Sequence, residues 1–183
     1  MIIGGFDPGF AFLGAAFIEL QPTSTRIIHH ETFATKSSDS DEDRLDAIAE
    51  HVLDLIEQFE PEAIGYENQA WAALPNRVKA EGEELRTSAA SRRLHEVTGL
   101  IRCAARCYDT PVFCLAPSTI KVGLLGKGGT KQRGKQAVKD RVRALFGIVC
   151  SEHAADAIAV GISTGVRHRR NVTLLAQHAS LIH

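Results

Sequence analysis

Three acidic side chains stand where apolar runs stop. Met1-Ile2-Ile3-Gly4-Gly5-Phe6 ends at Asp7-Pro8-Gly9, and Ala63-Ile64-Gly65-Tyr66 ends at Glu67. Asp156 follows Glu152-His153-Ala154-Ala155 and opens another apolar stretch. His153 lies three residues before Asp156, so on a helix both project from one face. Clustered carboxylates suit a small hard cation such as Mg²⁺, which takes oxygen donors and keeps several waters. Two such ions about 3.5–4 Å apart can activate a water and stabilise the leaving oxygen of a phosphodiester. That chemistry needs no thiol, and Cys103, Cys107, Cys114 and Cys150 form neither a CxxC pair nor a disulfide framework. Each acid alone has a plainer reading. An Asp before Pro-Gly is a common turn residue, Glu67 can be an edge residue, and Glu152 to Asp156 can be an acidic first turn favoured by the helix dipole. Their shared position at element ends is what points to a site.

A second group is basic. Lys121 to Lys135 is glycine-rich and reads as a loop carrying Lys127, Lys131 and Arg133. Glycines let backbone amides approach a phosphate, and lysines neutralise it. It is not a nucleotide-binding P-loop, because Gly126-Lys127-Gly128-Gly129-Thr130 lacks the GxxxxGK[ST] spacing. Trp71 is the one tryptophan, with Pro75 nearby, and can be an exposed wedge or a core residue.

These residues need elements to hold them. Residues 1–6, 11–20 and 26–35 read as three strands joined by short turns, an antiparallel meander. Weak alternation in the first two predicts burial on both faces of a central sheet. Leu45, Ile48, Val52, Leu55, Ile56 and Phe59 recur at helical spacing after a Ser40 cap and before Pro61. A fourth strand at 63–66, a helix over 78–108 broken near Gly82, and a fifth strand at 112–115 follow. Two helices are expected over 136–146 and 152–165. Crossover helices arise only after the third strand, which predicts a mixed sheet covered by helices, α/β in class. His29 and His30 read as a surface pair.

The chain has 183 residues, 44% hydrophobic and 23% charged, and so fits one globular domain. No run reaches the ~18 apolar residues of a membrane span, and no basic segment precedes the first apolar run. A reducing cytoplasm is the expected location. The net charge of -1 hides a division. Residues 1–76 carry 3 Lys+Arg against 14 Asp+Glu, and residues 77–183 carry 18 against 8. A basic half beside an acidic site invites a polyanion.

Gly5-Phe6-Asp7-Pro8-Gly9, Ile64-Gly65-Tyr66-Glu67 and His153-Ala154-Ala155-Asp156-Ala157-Ile158-Ala159 together resemble the RuvC Holliday junction resolvases of the ribonuclease H-like superfamily. The resemblance runs from Ile2 to about Ser163. It implies a five-stranded mixed sheet flanked by helices, with residues 1–166 as the nuclease domain and 167–183 as a tail. It implies a homodimer that nicks two strands of a four-way DNA junction with Mg²⁺, two ions per site, Mn²⁺ substituting, and a branch-migration helicase as a partner. Asp7, Glu67, His153 and Asp156 would be the metal-site residues, His153 standing where some members have Asp. Lys121 matches a family lysine near the scissile phosphate, and Lys135 a basic residue at a helix start. The family usually carries an aromatic soon after the glutamate that wedges into the junction. Here Asn68-Gln69-Ala70-Trp71 displaces it by about one position, which leaves room for a divergent or phage-type nuclease on other branched DNA. Two other classes share parts of the pattern. Sugar kinases and actin-like ATPases also open with a strand-Asp-x-Gly turn but need two such domains. A non-catalytic DNA-binding module would have no reason to keep clustered carboxylates beside phosphate.

Overall fold

In the computed structural model, which describes residues 1–68, 89–126 and 135–180 (Lys135 and 174–180 by backbone alone), the first three strands form the expected meander. They are β1 (Ile2–Asp7), β2 (Phe12–Leu20) and β3 (Thr25–Ala34). β4 (Ala63–Glu67) and β5 (Val112–Leu115) complete one five-stranded sheet in the order β3-β2-β1-β4-β5. β1 pairs antiparallel with β2, and β4 runs parallel to both β1 and β5.

Helices cover both faces, so β1 has no solvent side and its sequence does not alternate. On one face α1 (Asp41–Phe59) and α2 (Ala89–Cys107) close a core of Phe6, Phe17, Ile48, Val52, Ile64, Val97 and Ile101. α1 begins as its sequence predicts: Ser40 accepts from the Asp43 backbone N–H, and Asp41, Glu42 and Asp43 fill the first turn. It ends with Glu60 in a left-handed conformation, φ 44°, just before Pro61. On the other face α3 (Pro117–Leu125), α4 (Lys135–Phe146) and α5 (Glu152–Ser180) pack over Ile3, Ile18, Ile120, Leu124, Val138, Val142 and Ile158.

Three expectations are corrected. Residues 121–125 are helical, because Pro117 occupies a first-turn position and Ile120 and Leu124, four apart, both bury against the core. The helix stops at Gly126, φ 75°. α5 passes the expected end at 165 without interruption, so the basic residues 167–170 are helical. His29 is half-buried rather than a plain surface residue. Its ring lies 5.1 Å from that of Phe59 and 6.3 Å from that of Phe17, and His29 and His51 both face the Glu31 carboxylate.

α5 lies so close to β1 that Gly5 has no room for a side chain. A methyl there would collide with the Ala157 carbonyl and the backbone of Gly161. Neither obstacle is a movable side-chain tip. Gly5→Ala is therefore expected to destabilise the protein by about 3 kcal/mol, the upper part of the overpacking range. Gly99, on α2 with open space around it, is the control. Gly99→Ala should be neutral or stabilising by up to ~1 kcal/mol. Urea midpoints of the two variants check the pair, and equal midpoints would remove the packing argument.

Candidate active site

The alternation of a strand decides which acids can meet. In β1, Ile3 and Gly5 face α5, so Asp7, two residues further, faces α5 as well. In β4, Ala63 packs in the α5-side core and Gly65 lies against Thr164 and Val160 of α5, which puts Glu67 on the same side. The parallel register sets Phe6 opposite Tyr66. Asp7 and Glu67 thus end adjacent strands, at the same edge and on the same face.

α5 begins over that edge. Asp7 is 5% exposed, and His153 Nδ1 donates to its Oδ2 at 2.8 Å. This bond spans 146 residues of chain and ties the end of β1 to the first turn of α5. Gly14, opposite Asp7 in β2, makes the approach possible, since a methyl there would strike the His153 carbonyl. The exposed ring of Phe12 stacks on the imidazole at 5.6 Å with an 18° interplanar angle. With Nδ1 committed to a carboxylate, the neutral ring carries its acceptor lone pair on Nε2.

Asp7, Glu67, Lys121, His153 and Asp156 all line one cleft of about 780 Å³. Its walls also include Pro8 to Ala11, Arg44, Arg93, Pro117 and Glu152. Five of the six residues expected to act catalytically are therefore brought together. Lys135 is the first residue of α4, and its side chain is not described. Trp71, Lys127, Lys131 and Arg133 lie outside the described residues.

Three carboxylates are the oxygen donors that a hard divalent cation takes, and an imidazole nitrogen beside them is better suited to Mn²⁺ than to Mg²⁺. Among the described residues, no group of three or more His, Cys, Asp or Glu side chains stands close enough to hold an ion as placed. Binding a cation would draw these side chains inward. Beside the cleft, burial pushes the Cys150 thiol up, Lys139 pulls it partly back, and nearby Asp156 adds to the rise. Such a thiol is a poor nucleophile.

Arg44, Arg93 and Phe10 also line the cleft, and Phe12 stacks on His153 at its side, none of them singled out by the sequence. Arg44 sits in an acidic helix start and reads there as an ordinary surface charge. No spacing marks it, because its partners are on other elements.

The comparisons with known proteins agree with one another. A family model described as crossover junction endodeoxyribonuclease RuvC matches residues 2–164. A protein of that description from Natranaerobius thermophilus is 26% identical over 174 residues, covering 95% of this chain and 100% of the relative. Among solved structures, Thermus thermophilus RuvC superposes with a TM-score of 0.74 at 24% identity, over 93% of this chain and 97% of that one. The same Thermus protein in complex with Holliday junction substrate gives 0.73 at 23% identity, over 93% and 96%. Both superpositions speak for the five-stranded, helix-flanked fold.

Proposed function

The chain belongs to the crossover junction endodeoxyribonuclease RuvC family, and from that premise we propose that it is a structure-specific endonuclease that resolves four-way DNA junctions by paired nicks. The observation that carries this reading is the bond between His153 and Asp7 inside a cleft that Glu67, Asp156 and Lys121 also line. A family fold with a dismantled site would have no use for a buried carboxylate held by an imidazole.

The nuclease function is assigned to residues 1–166. Asp7, Glu67, His153 and Asp156 would hold the metal, two Mg²⁺ per site with Mn²⁺ able to substitute. The bound ions supply Lewis-acid stabilisation of charge on the phosphate and lower the pKa of water. The protein's own contribution is positional. Asp7 fixes the His153 ring through Nδ1 and Phe12 fixes its plane, so Nε2 presents in one orientation. Lys121, exposed on α3 at the cleft wall, neutralises phosphate charge, and Lys135 at the start of α4 is assigned the same task. Paired nicking needs two sites, so the working species is a homodimer on one junction, in the cytoplasm with a branch-migration helicase as partner. Among the described residues no helix is long and apolar enough to cross a membrane.

The experiment is cleavage of a labelled four-way junction with and without Mg²⁺. Symmetric nicks that vanish with chelator are expected. Metal-independent nicking, or binding without any nicking, would sink the reading.

Affinity should come chiefly from cations on phosphates, and the basic residues of 127–133 are assigned to this. Binding is then expected to weaken steeply with salt, and replacing Lys127, Lys131 and Arg133 together should flatten that dependence. Each lost phosphate contact lowers the log-log slope by ~0.9. An unchanged slope in the triple variant would take this segment off the DNA. Trp71 is proposed as the wedge at the junction centre, and loss of junction-over-duplex preference in Trp71→Ala would bear it out.

A further inference from the structure

The cleft that lines up Asp7, Glu67 and Asp156 must also admit a polyanion, so its cations need an account. Arg44 is half-buried on α1 and Arg93 stands on the first turns of α2, and both line the cleft. Their guanidinium carbons lie 3.9 Å and 5.0 Å from the centre of the same ring, Phe10, in the turn that follows Asp7.

The two differ in how their charge is met. Arg93 pairs with Asp41, its Nε donating to Oδ2 at 2.7 Å. Arg44 has neutral partners. Its Nε donates to Thr35 Oγ1 at 2.9 Å, its Nη2 reaches the Phe10 carbonyl at 3.5 Å, and the Thr35 hydroxyl donates to that same carbonyl at 2.8 Å. Among the described residues no carboxylate pairs with Arg44. A ring face and two neutral acceptors orient a guanidinium without cancelling its charge. Its remaining N–H groups form a fork that suits two oxygens of one phosphate.

We propose that Arg44, set by Phe10 and Thr35 and backed by Arg93, is a seat for one non-scissile backbone phosphate of the DNA strand being cut. This rests on the nuclease reading and adds to it a defined contact beside the metal residues. The seat holds the strand in register, so that the neighbouring phosphate falls between Asp7, Glu67 and Asp156.

The test is a chemical double-mutant cycle on the full-length protein. Four-way junctions carry a single neutral methylphosphonate at each phosphate within a few nucleotides of the cut, and cleavage by wild type and by Arg44→Gln is compared. At one non-scissile position the neutral linkage should cost wild type roughly 10- to 100-fold in kcat/KM, the worth of a charge-assisted contact. At that position it should cost Arg44→Gln almost nothing, and Arg44→Gln on unmodified DNA should show a similar loss, mainly in KM. Arg44→Lys keeps the charge without the fork and should fall between. Arg93→Gln, which leaves the turn's hydrogen bonds intact, should weaken the same position more mildly, and it carries the cycle if Arg44→Gln fails to fold. Equal losses in variant and wild type at every position would overturn the seat and leave Arg44 a mere staple of the turn. No metal-dependent cleavage by the wild-type protein would overturn the nuclease reading itself, and the seat with it.

Discussion

Asp7→Asn, Glu67→Gln and Asp156→Asn are each expected to abolish junction cleavage while leaving junction binding largely intact. Each replacement keeps the shape of the side chain and removes the charge that would hold a cation. Losing several kcal/mol of transition-state stabilisation corresponds to at least about a 10³-fold fall in rate. Asp7→Asn is the most telling of the three. Its side-chain oxygen can still accept from His153 Nδ1, so the 2.8 Å tie between β1 and α5 need not be lost. A large rate loss with an unchanged melting curve would then report on charge alone. Binding should hold or tighten, since one negative charge has left a cleft that faces phosphate. Single-turnover cleavage in Mg²⁺ with band shifts in chelator checks all three. A variant that cuts at near-normal rate would remove its residue from the metal site.

His153 carries the second large effect, and its geometry narrows what it can do. Nδ1 is bound to Asp7 and the ring face to Phe12, which leaves Nε2 to act as a metal ligand or as the base that orients the attacking water. Both roles predict a large loss in His153→Ala. They separate in His153→Asp. A carboxylate suits Mg²⁺ better than nitrogen does, so a ligand role predicts substantial activity in Mg²⁺. It also predicts a steeper demand for Mg²⁺, because the new carboxylate would face Asp7 with no proton between them until a cation binds. A base role predicts no rescue. We favour the ligand. Cleavage by His153→Asp no faster than by His153→Ala would reverse that choice.

Much of the site is legible in the chain because strands and helices have fixed periods. Asp7 and Glu67 close apolar runs, and His153 and Asp156 are three apart in the first turns of a helix, so their types and spacing mark them before any contact is known. The cation pair on Phe10 is different. Arg44, Arg93 and Phe10 sit on three separate elements, and no local pattern links them. Lys121 is an intermediate case. The glycines after it suggest a loop, yet Ile120 and Leu124 bury together on the α5 side and hold residues 117–125 helical. Tertiary packing overrode the local signal.

Hydrophobic period and turn chemistry, acting over a few residues at a time, set the succession of strands and helices, the two-faced burial of β1, the capped start of α1 and the acids that close the apolar runs. Long-range packing is what sets β1 and β4 side by side in register, lets α5 descend onto the sheet over Gly5 and Gly14, and so brings His153 to Asp7. Those outcomes depend on pairing and close approach between segments up to 146 residues apart, and contact at that range leaves no period in the chain for a reader to find.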